Sequence, residues 1–471
     1  MFKKLDKLKN KVTEGINDKL GGEKEPKVTT IIQPADCTNL VGGFVIAFGD
    51  NHENQLAQTN PQSSYSNKNL VSIPSSFKPN IAYVTCGNDH CFFVAKDGKI
   101  YFTGSNKLGQ FGSATSSRAD QLTEYRHTVL KAKKVFCGEY NTAFISDKGQ
   151  LYLTGKGELL GTLSTDTKMA PTLVPALSSY TIEDYATGPK HSYAVDKDGN
   201  IYGWGKSDNL GIGNFVKVKK ITKILREPML IESPAFVAHK VTSIACGDDH
   251  TLCLLNNGDV YAWGRGDEGQ LGNQSKDLKV SPTLVESLQN YKVRQISCGA
   301  FNSSMVTVED DCYIWGQYGE HIMTPQLLQV GYKESVKVKQ IAQNSYYNIV
   351  LSTSNDIYTF GADYKIATKD SWTPTKLYIN DPVLVGKKVT QVAASAANYY
   401  MIVYEGADLK YGTNIDYSKK GHKATAKDLP PMPQSTYAKN KAALFAKPSS
   451  TTTTTTTSTS SSKYDHDESV L

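Results

Sequence analysis

The amino-acid sequence predicts an all-β fold, a β-propeller of seven repeated units, preceded by an amphipathic helix and followed by a disordered tail. Three observations predict it. One unit recurs seven times along the 471 residues, at a period of about 50. In every unit two marker positions stand 17 residues apart. Between them most units carry an Asn-Gly, Asp-Gly or Lys-Gly pair flanked by alternating apolar residues, the strongest short-range signal of a β-hairpin.

The best-formed unit is VTSIACGDDHTLCLLNNGDVYAWGRGDEGQLGN, residues 241–273. Related units begin near 84, 135, 184, 296, 341 and 392. The 17-residue interval runs from Gly87 to Gly104, Gly138 to Gly155, Gly188 to Gly205, Gly247 to Gly264 and Gly299 to Gly316. Two degenerate units keep it, from Asn344 to Gly361 and from Ser395 to Gly412. Distances between units are 51, 50, 59, 52, 45 and 51 residues, so length variation falls in the connections.

Each 17-residue stretch reads as two strands and a turn. Leu252, Leu254, Val260 and Ala262 alternate on either side of Asn257-Gly258, and Asp97-Gly98, Lys148-Gly149 and Asp198-Gly199 mark the same turn elsewhere. Segments such as Leu284-Val285 supply the outer strands. The glycines at 17-residue spacing mark positive φ or close backbone approach between units.

These residues, above all CGDDHT (246–251), the Trp-Gly steps at 204–205, 263–264 and 315–316, and GRGDEGQLG (264–272), resemble the regulator of chromosome condensation repeat family. The resemblance covers roughly residues 41–414 and implies a seven-bladed β-propeller closed by an N-terminal strand. Closure removes exposed sheet edges. Two segments compete for the closing slot, 44–56 (FVIAFGDNHENQL) and 406–412. Only the first keeps the downstream pair Gln55-Leu56, matching Gln270-Leu271, so 44–56 is expected to close the ring. The domains are then 1–27 (helix and linker), 28–414 (propeller) and 415–471 (basic, then Ser/Thr-rich tail).

The formal charge of +6 divides along these boundaries. Residues 1–27 carry +3, residues 418–447 carry +6 and residues 448–471 carry −2, which leaves −1 on the 390 residues between. The body is neutral and carries no aromatic stacking pattern, so nucleic acid is not an expected partner. No apolar run approaches the roughly 18 residues of a membrane span, and the N-terminus lacks an apolar secretory core. A cytoplasmic location is expected, with nuclear or membrane-peripheral placement as the alternatives, and the eight cysteines are expected as reduced thiols.

Phe2, Leu5, Leu8, Val12, Ile16 and Leu20 recur at three- and four-residue steps, the stripe of an amphipathic helix. That stripe suits peripheral membrane contact, a partner groove or packing on the propeller. The longest interval between units holds a basic run, Lys217, Lys219, Lys220, Lys223 and Arg226, which reads as a solvated connection or a partner-binding insertion. Lys427, Pro430 and Pro433 match a proline-rich peptide ligand, and Ser469-Val470-Leu471 a C-terminal carboxylate ligand.

Cys86, Cys137, Cys246 and Cys298 share one repeat position, which reads as equivalent small buried residues in different blades rather than a cluster. His90, His191 and His250 share another, where Asn141, Asn302, Tyr347 and Asn398 stand in the other units; they read as polar groups satisfying the backbone of their own turns. Trp204, Trp263 and Trp315 fill the repeat's aromatic core slot, and only Trp372 lies outside it. The ultraviolet-B photoreceptor of plants, a relative within the family, uses extra tryptophans in a G-W-R-H-T pattern that is absent here, so light sensing is not expected. No phosphate loop, nucleophile elbow or zinc motif is present, and no cofactor or metal is expected.

The expected function is a non-enzymatic protein-interaction platform that binds protein partners on the propeller faces as a monomer. The resemblance offers an alternative, nucleotide exchange on a Ran-like or other small GTPase, because the family's founding member acts in that way. Chromatin association through the basic ends is a third reading.

Overall fold

The structure is a computed structural model. It describes residues 44–57, 64–65, 71–72, 80–113, 116–126, 130–206, 224–329, 336–344, 347–361, 371–379, 386–395 and 399–405. These residues form a seven-bladed β-propeller. Blade four shows the plan, an antiparallel meander of Val241–Cys246, His250–Leu255, Val260–Gly264 and Lys279–Leu284, counted outward from the axis. The expected hairpin is in place: Leu254 pairs with Val260, and Gly258 turns the chain at φ +82°. The outer strand lies a little earlier than Leu284-Val285, ending at Leu284. Blades one, two, three, five and six repeat the plan from Ile81, Ala132, Ile182, Val293 and Val338.

Blade seven is assembled from both ends of the propeller. Val389–Ala394 and Tyr399–Tyr404 are its inner strands, and Phe44–Asp50 is its third. Six residue pairs join that third strand to its neighbour, from Phe44 opposite Tyr404 to Gly49 opposite Tyr399. The strand from 44 therefore closes the ring, as its Gln-Leu pair predicts. The turn that follows docks on blade one, where the Asn54 carbonyl accepts from Thr103 Oγ1 at 2.9 Å.

The repeated glycines serve two different contacts. At the end of each third strand, as at Gly264 (φ +96°), a Cβ would stand 2.3 Å from the Asp249 carbonyl oxygen. At the end of the innermost strand the contact crosses between blades, and a Cβ on Gly247 would lie 2.6 Å from the Gly299 oxygen. The apolar core lies between neighbouring blades. Trp204, Trp263 and Trp315 are fully buried there, and their indole N–H groups donate to the Leu159 carbonyl, the Tyr193 hydroxyl and the Gln270 carbonyl at 2.7–2.8 Å. Buried indoles need such partners. Trp372, outside the slot, packs edge-on against Tyr318 in the outer part of the same core.

One repeat position had not stood out in the sequence. In five blades the third residue of the innermost strand, Tyr83, Lys134, Gln295, Gln340 or Gln391, hydrogen-bonds to the next blade. Gln391 accepts from Val84 N and donates to Val84 O, both at 2.9 Å, which fastens blade seven to blade one. Gln340 makes the same pair of bonds with Val392, and Gln295 donates to the Ile341 carbonyl. In blade two the position is Lys134, which donates to the Glu183 carbonyl at 2.6 Å beside the buried carboxyl of Asp184.

Candidate functional site

The innermost strands of all seven blades end around the axis at one face. Cys86, Cys137, Thr187, Cys246, Cys298, Gln343 and Ala394, with the residues that follow them, line an axial cavity of about 160 Å³. The short turns leaving these strands form its rim. In five blades the turn is held to the end of its own third strand, because Ser105, Lys156, Lys206, Arg265 and Gln317 donate their N–H groups to the carbonyls of Asp89, Tyr140, Lys190, Asp249 and Phe301. Hydrogen bonds also pass from rim to rim between blades, from Asn88 N to the Glu139 carbonyl and from Asp248 N to the Ala300 carbonyl, each 3.2 Å.

This framework sorts charge into two rings. Asp89, Glu139, Asp248 and Asp249 lie on the inner turns. Lys107, Lys156, Lys206 and Arg265 leave the third strands just outside them. Blade three puts a cation, Lys190, on its inner turn; it meets Asp249 at 2.7 Å, and Lys206 of the outer ring stands 3.7 Å from the same carboxylate. Lys107 pairs with Glu53 at 2.5 Å. Lys156 pairs with Glu158 at 3.9 Å and Arg265 with Asp267 at 2.5 Å, and the two also stand over the rings of Tyr140 and Phe301, at 5.5 and 5.8 Å from the centroids.

Asp248 makes no ion pair among the described residues. Burial pushes its carboxyl up to about 6, Glu139 and Asp249 add repulsion, and Lys190 opposes them. Burial also raises Asp89, while Asn88 holds it down through a hydrogen bond. Asp249 is thus doubly paired, while Asp89, Glu139 and Asp248 are acidic groups with no ion pair among the described residues.

The four repeat cysteines are placed differently from the sequence reading. They do stand in separate blades, but they are half-buried and line the axial cavity instead of being enclosed in the blade cores. The Cys137 thiol donates to the Thr85 carbonyl and the Cys298 thiol to the Ala245 carbonyl, so each leans on the preceding blade. Burial holds the thiols of Cys137, Cys246 and Cys298 above their ordinary range, which keeps them protonated and unreactive. Among the described residues no group of three or more His, Cys, Asp or Glu side chains could hold a metal ion.

The histidines also differ from expectation. They bond to the next blade rather than to their own turns, with Nε2 of His90, His191 and His250 meeting Thr142, Thr251 and Ser303 hydroxyls at 2.9–3.1 Å. Full burial lowers them to about 3, 4 and 3, so all three are neutral imidazoles.

Of the sequence-singled surface residues, Arg226 is described. It is exposed on the outer strand Ile224–Leu230 of blade three, so the end of that basic run is a strand rather than a connection. Lys217, Lys219, Lys220 and Lys223 lie outside the described residues, as do the helix stripe Phe2, Leu5, Leu8, Val12, Ile16 and Leu20, the proline ligand Lys427, Pro430 and Pro433, and the terminal Ser469-Val470-Leu471. The structure therefore brings together a charged rim that the sequence reading passed over. Its signal was visible in Asp248-Asp249 and Arg265, inside motifs taken as marks of the fold alone.

Comparison with known proteins gives the following. The family described as Regulator of chromosome condensation (RCC1) repeat matches residues 198–254 and 257–306, and a second family of the same description matches 81–110 and 241–270. The human E3 ubiquitin-protein ligase HERC2 is 29% identical over 390 residues, which cover 78% of this chain and 8% of the ligase. The Arabidopsis thaliana ultraviolet-B receptor UVR8 is 25% identical over 337 residues, covering 68% of this chain and 73% of the receptor. Among solved structures, Prp20p of Saccharomyces cerevisiae superposes with a TM-score of 0.66 at 15% identity, covering 89% of this chain and 99% of that one. Human WBSCR16 superposes with a TM-score of 0.64 at 14% identity, covering 78% and 99%.

Proposed function

We propose, from the premise that this chain belongs to the regulator of chromosome condensation (RCC1) repeat family, that it is a non-enzymatic platform binding a basic segment of a protein partner at the axial rim. The observation that carries this reading is the inner ring of Asp89, Glu139 and Asp248, held half-buried and short of counter-charge by the turns around the axis. A cationic segment supplies what that ring lacks, and the outer Lys and Arg ring sets its orientation by repelling a misplaced approach.

The test compares proteins captured by the wild-type chain, by Glu139→Lys/Asp248→Lys, and by Asp97→Lys/Asp198→Lys on the hairpin turns of the other face. Loss of the captured proteins with the first variant alone is the expected result. Equal capture by all three would remove the rim from consideration.

A second reading is nucleotide exchange on a small GTPase. It is supported by the likeness to yeast Prp20p, whose structure is reported with its binding properties to Gsp1p and histones. Release of labelled GDP from a panel of small GTPases tests it, with acceleration by this chain as the supporting outcome.

A further inference from the structure

Five of the outermost strands carry a proline at one register position. Pro171, Pro228, Pro282, Pro325 and Pro374 each precede the residue that pairs with the third strand, as Thr283 pairs with Ala262. By the alternation of an antiparallel ladder, the nitrogen at that position faces away from the sheet. Proline removes the outward N–H there, a common way to blunt a sheet edge.

Blade one departs from this. Its outer strand, Arg118–Glu124, has Leu122 at the proline position, next to Thr123, which pairs with Phe102. Tyr125 N donates inward to the Ile100 carbonyl at 2.7 Å, so the N–H groups of Leu122 and Glu124 turn outward. Among the described outer strands that pair as in blade four, this one alone keeps that donor. It also carries alternating charge: Arg118 pairs with the more exposed Asp120, and Glu124 with Arg126, whose side chain is 81% exposed.

We propose that this edge pairs with the same edge of a second copy of the chain, forming a two-fold antiparallel sheet centred on Thr123. In that register the Leu122 N–H meets the Glu124 carbonyl of the other copy, and Asp120 stands opposite Arg126. The two-fold axis makes each of these contacts twice. Opposite charges face each other at both ends, so the edge complements itself. Registers centred one residue to either side instead oppose Asp120 to Glu124, or Glu124 to Glu124.

Sedimentation velocity of the full chain over a concentration series, up to about 100 μM, reads the association. The wild type is expected to move from monomer to dimer. Leu122→Pro, the residue five sister blades already tolerate there, is expected to weaken the dimer at least tenfold. It also lowers the melting temperature, because the Leu122 side chain is buried in the core between blades seven and one, so the charge variants carry the stability-independent test. Arg126→Glu and Asp120→Lys are each expected to be monomeric alone, and to form a one-to-one dimer when mixed. A wild type that stays monomeric throughout, a Leu122→Pro variant that dimerises as well as the wild type, or a mixture that does not associate would each overturn the proposal.

Discussion

The joint between blades two and three and the joints on either side of blade seven use the same repeat position in opposite ways. Gln340 and Gln391 each reach the next blade with a neutral amide that gives and takes one backbone hydrogen bond. Lys134 reaches with an ammonium that donates to the Glu183 carbonyl and sits beside the buried Asp184 carboxyl. The amide satisfies both backbone groups and leaves nothing charged behind. The ammonium satisfies one backbone carbonyl and depends on a carboxylate that is itself costly to bury. What Lys134, Gln340 and Gln391 share at this position is therefore reach to the next blade, not a chemical type.

The largest test breaks the charged joint. Lys134→Met leaves Asp184 buried without its cation and is expected to cost about 3–5 kcal/mol at pH 7.5. Burial raises the Asp184 carboxyl to about 6, well above its unfolded value, so its protonated form is the one the fold prefers. The loss should therefore shrink as pH falls through 6 toward 5, where Asp184 takes up a proton. Urea titrations at both pH values check this, and an equal loss at both would show that charge is not the reason.

The neutral joint should be cheaper to break. Gln391→Ala strands the Val84 N–H and carbonyl and is expected to cost about 2–3 kcal/mol, with no dependence on pH between 5 and 7.5. Thermal melts across that range give the comparison directly.

A smaller effect concerns the histidines, which join blades one position into the second strand. The folded values of about 3 to 4 lie below the unfolded value, so only the unfolded chain takes up protons just below pH 6.5. Each histidine then removes stability as pH falls, by about 1.4 kcal/mol per pH unit until its folded value is reached. Asp184 and Asp248, raised to about 6, work the other way and offset part of it. Asn302 stands where His250 does, one blade further on, so His250→Asn is expected to cost under about 1 kcal/mol at pH 7.5 and to make the acid limb shallower by one proton. Unfolding free energy measured from pH 7.5 to 4 checks the slope.

The parts of this design that showed in the sequence are those where one residue type is forced. Gly264 is glycine because a Cβ would meet the Asp249 carbonyl, and that constraint repeats every blade, so the 17-residue spacing was plain. The joint position was harder to see. Tyr83, Lys134, Asp184, Ser243 and Gln295 share nothing chemically, and only the repeated Gln295, Gln340 and Gln391 hinted at a common task. The histidines were recognised as a set, but their partners lie 52, 60 and 53 residues ahead, beyond any local pattern. The charged rim was missed because its turns vary from Pro189-Lys190 to Asp248-Asp249, and a varying turn gives no period to find.

The closing strand has a consequence for how the molecule comes into being. Phe44, among the first residues of the propeller to leave a ribosome, finds its partner Tyr404 only after nearly all the rest has been made. Six blades have complete inner hairpins beforehand, but the seventh waits, and its long loop must be closed against chain entropy. Until then the strands at both ends of the chain present open edges of the kind that invite misassembly. Completion of the propeller thus waits on a single late event, and a chain stopped short of Tyr399–Tyr404 would carry six blades and no closed ring.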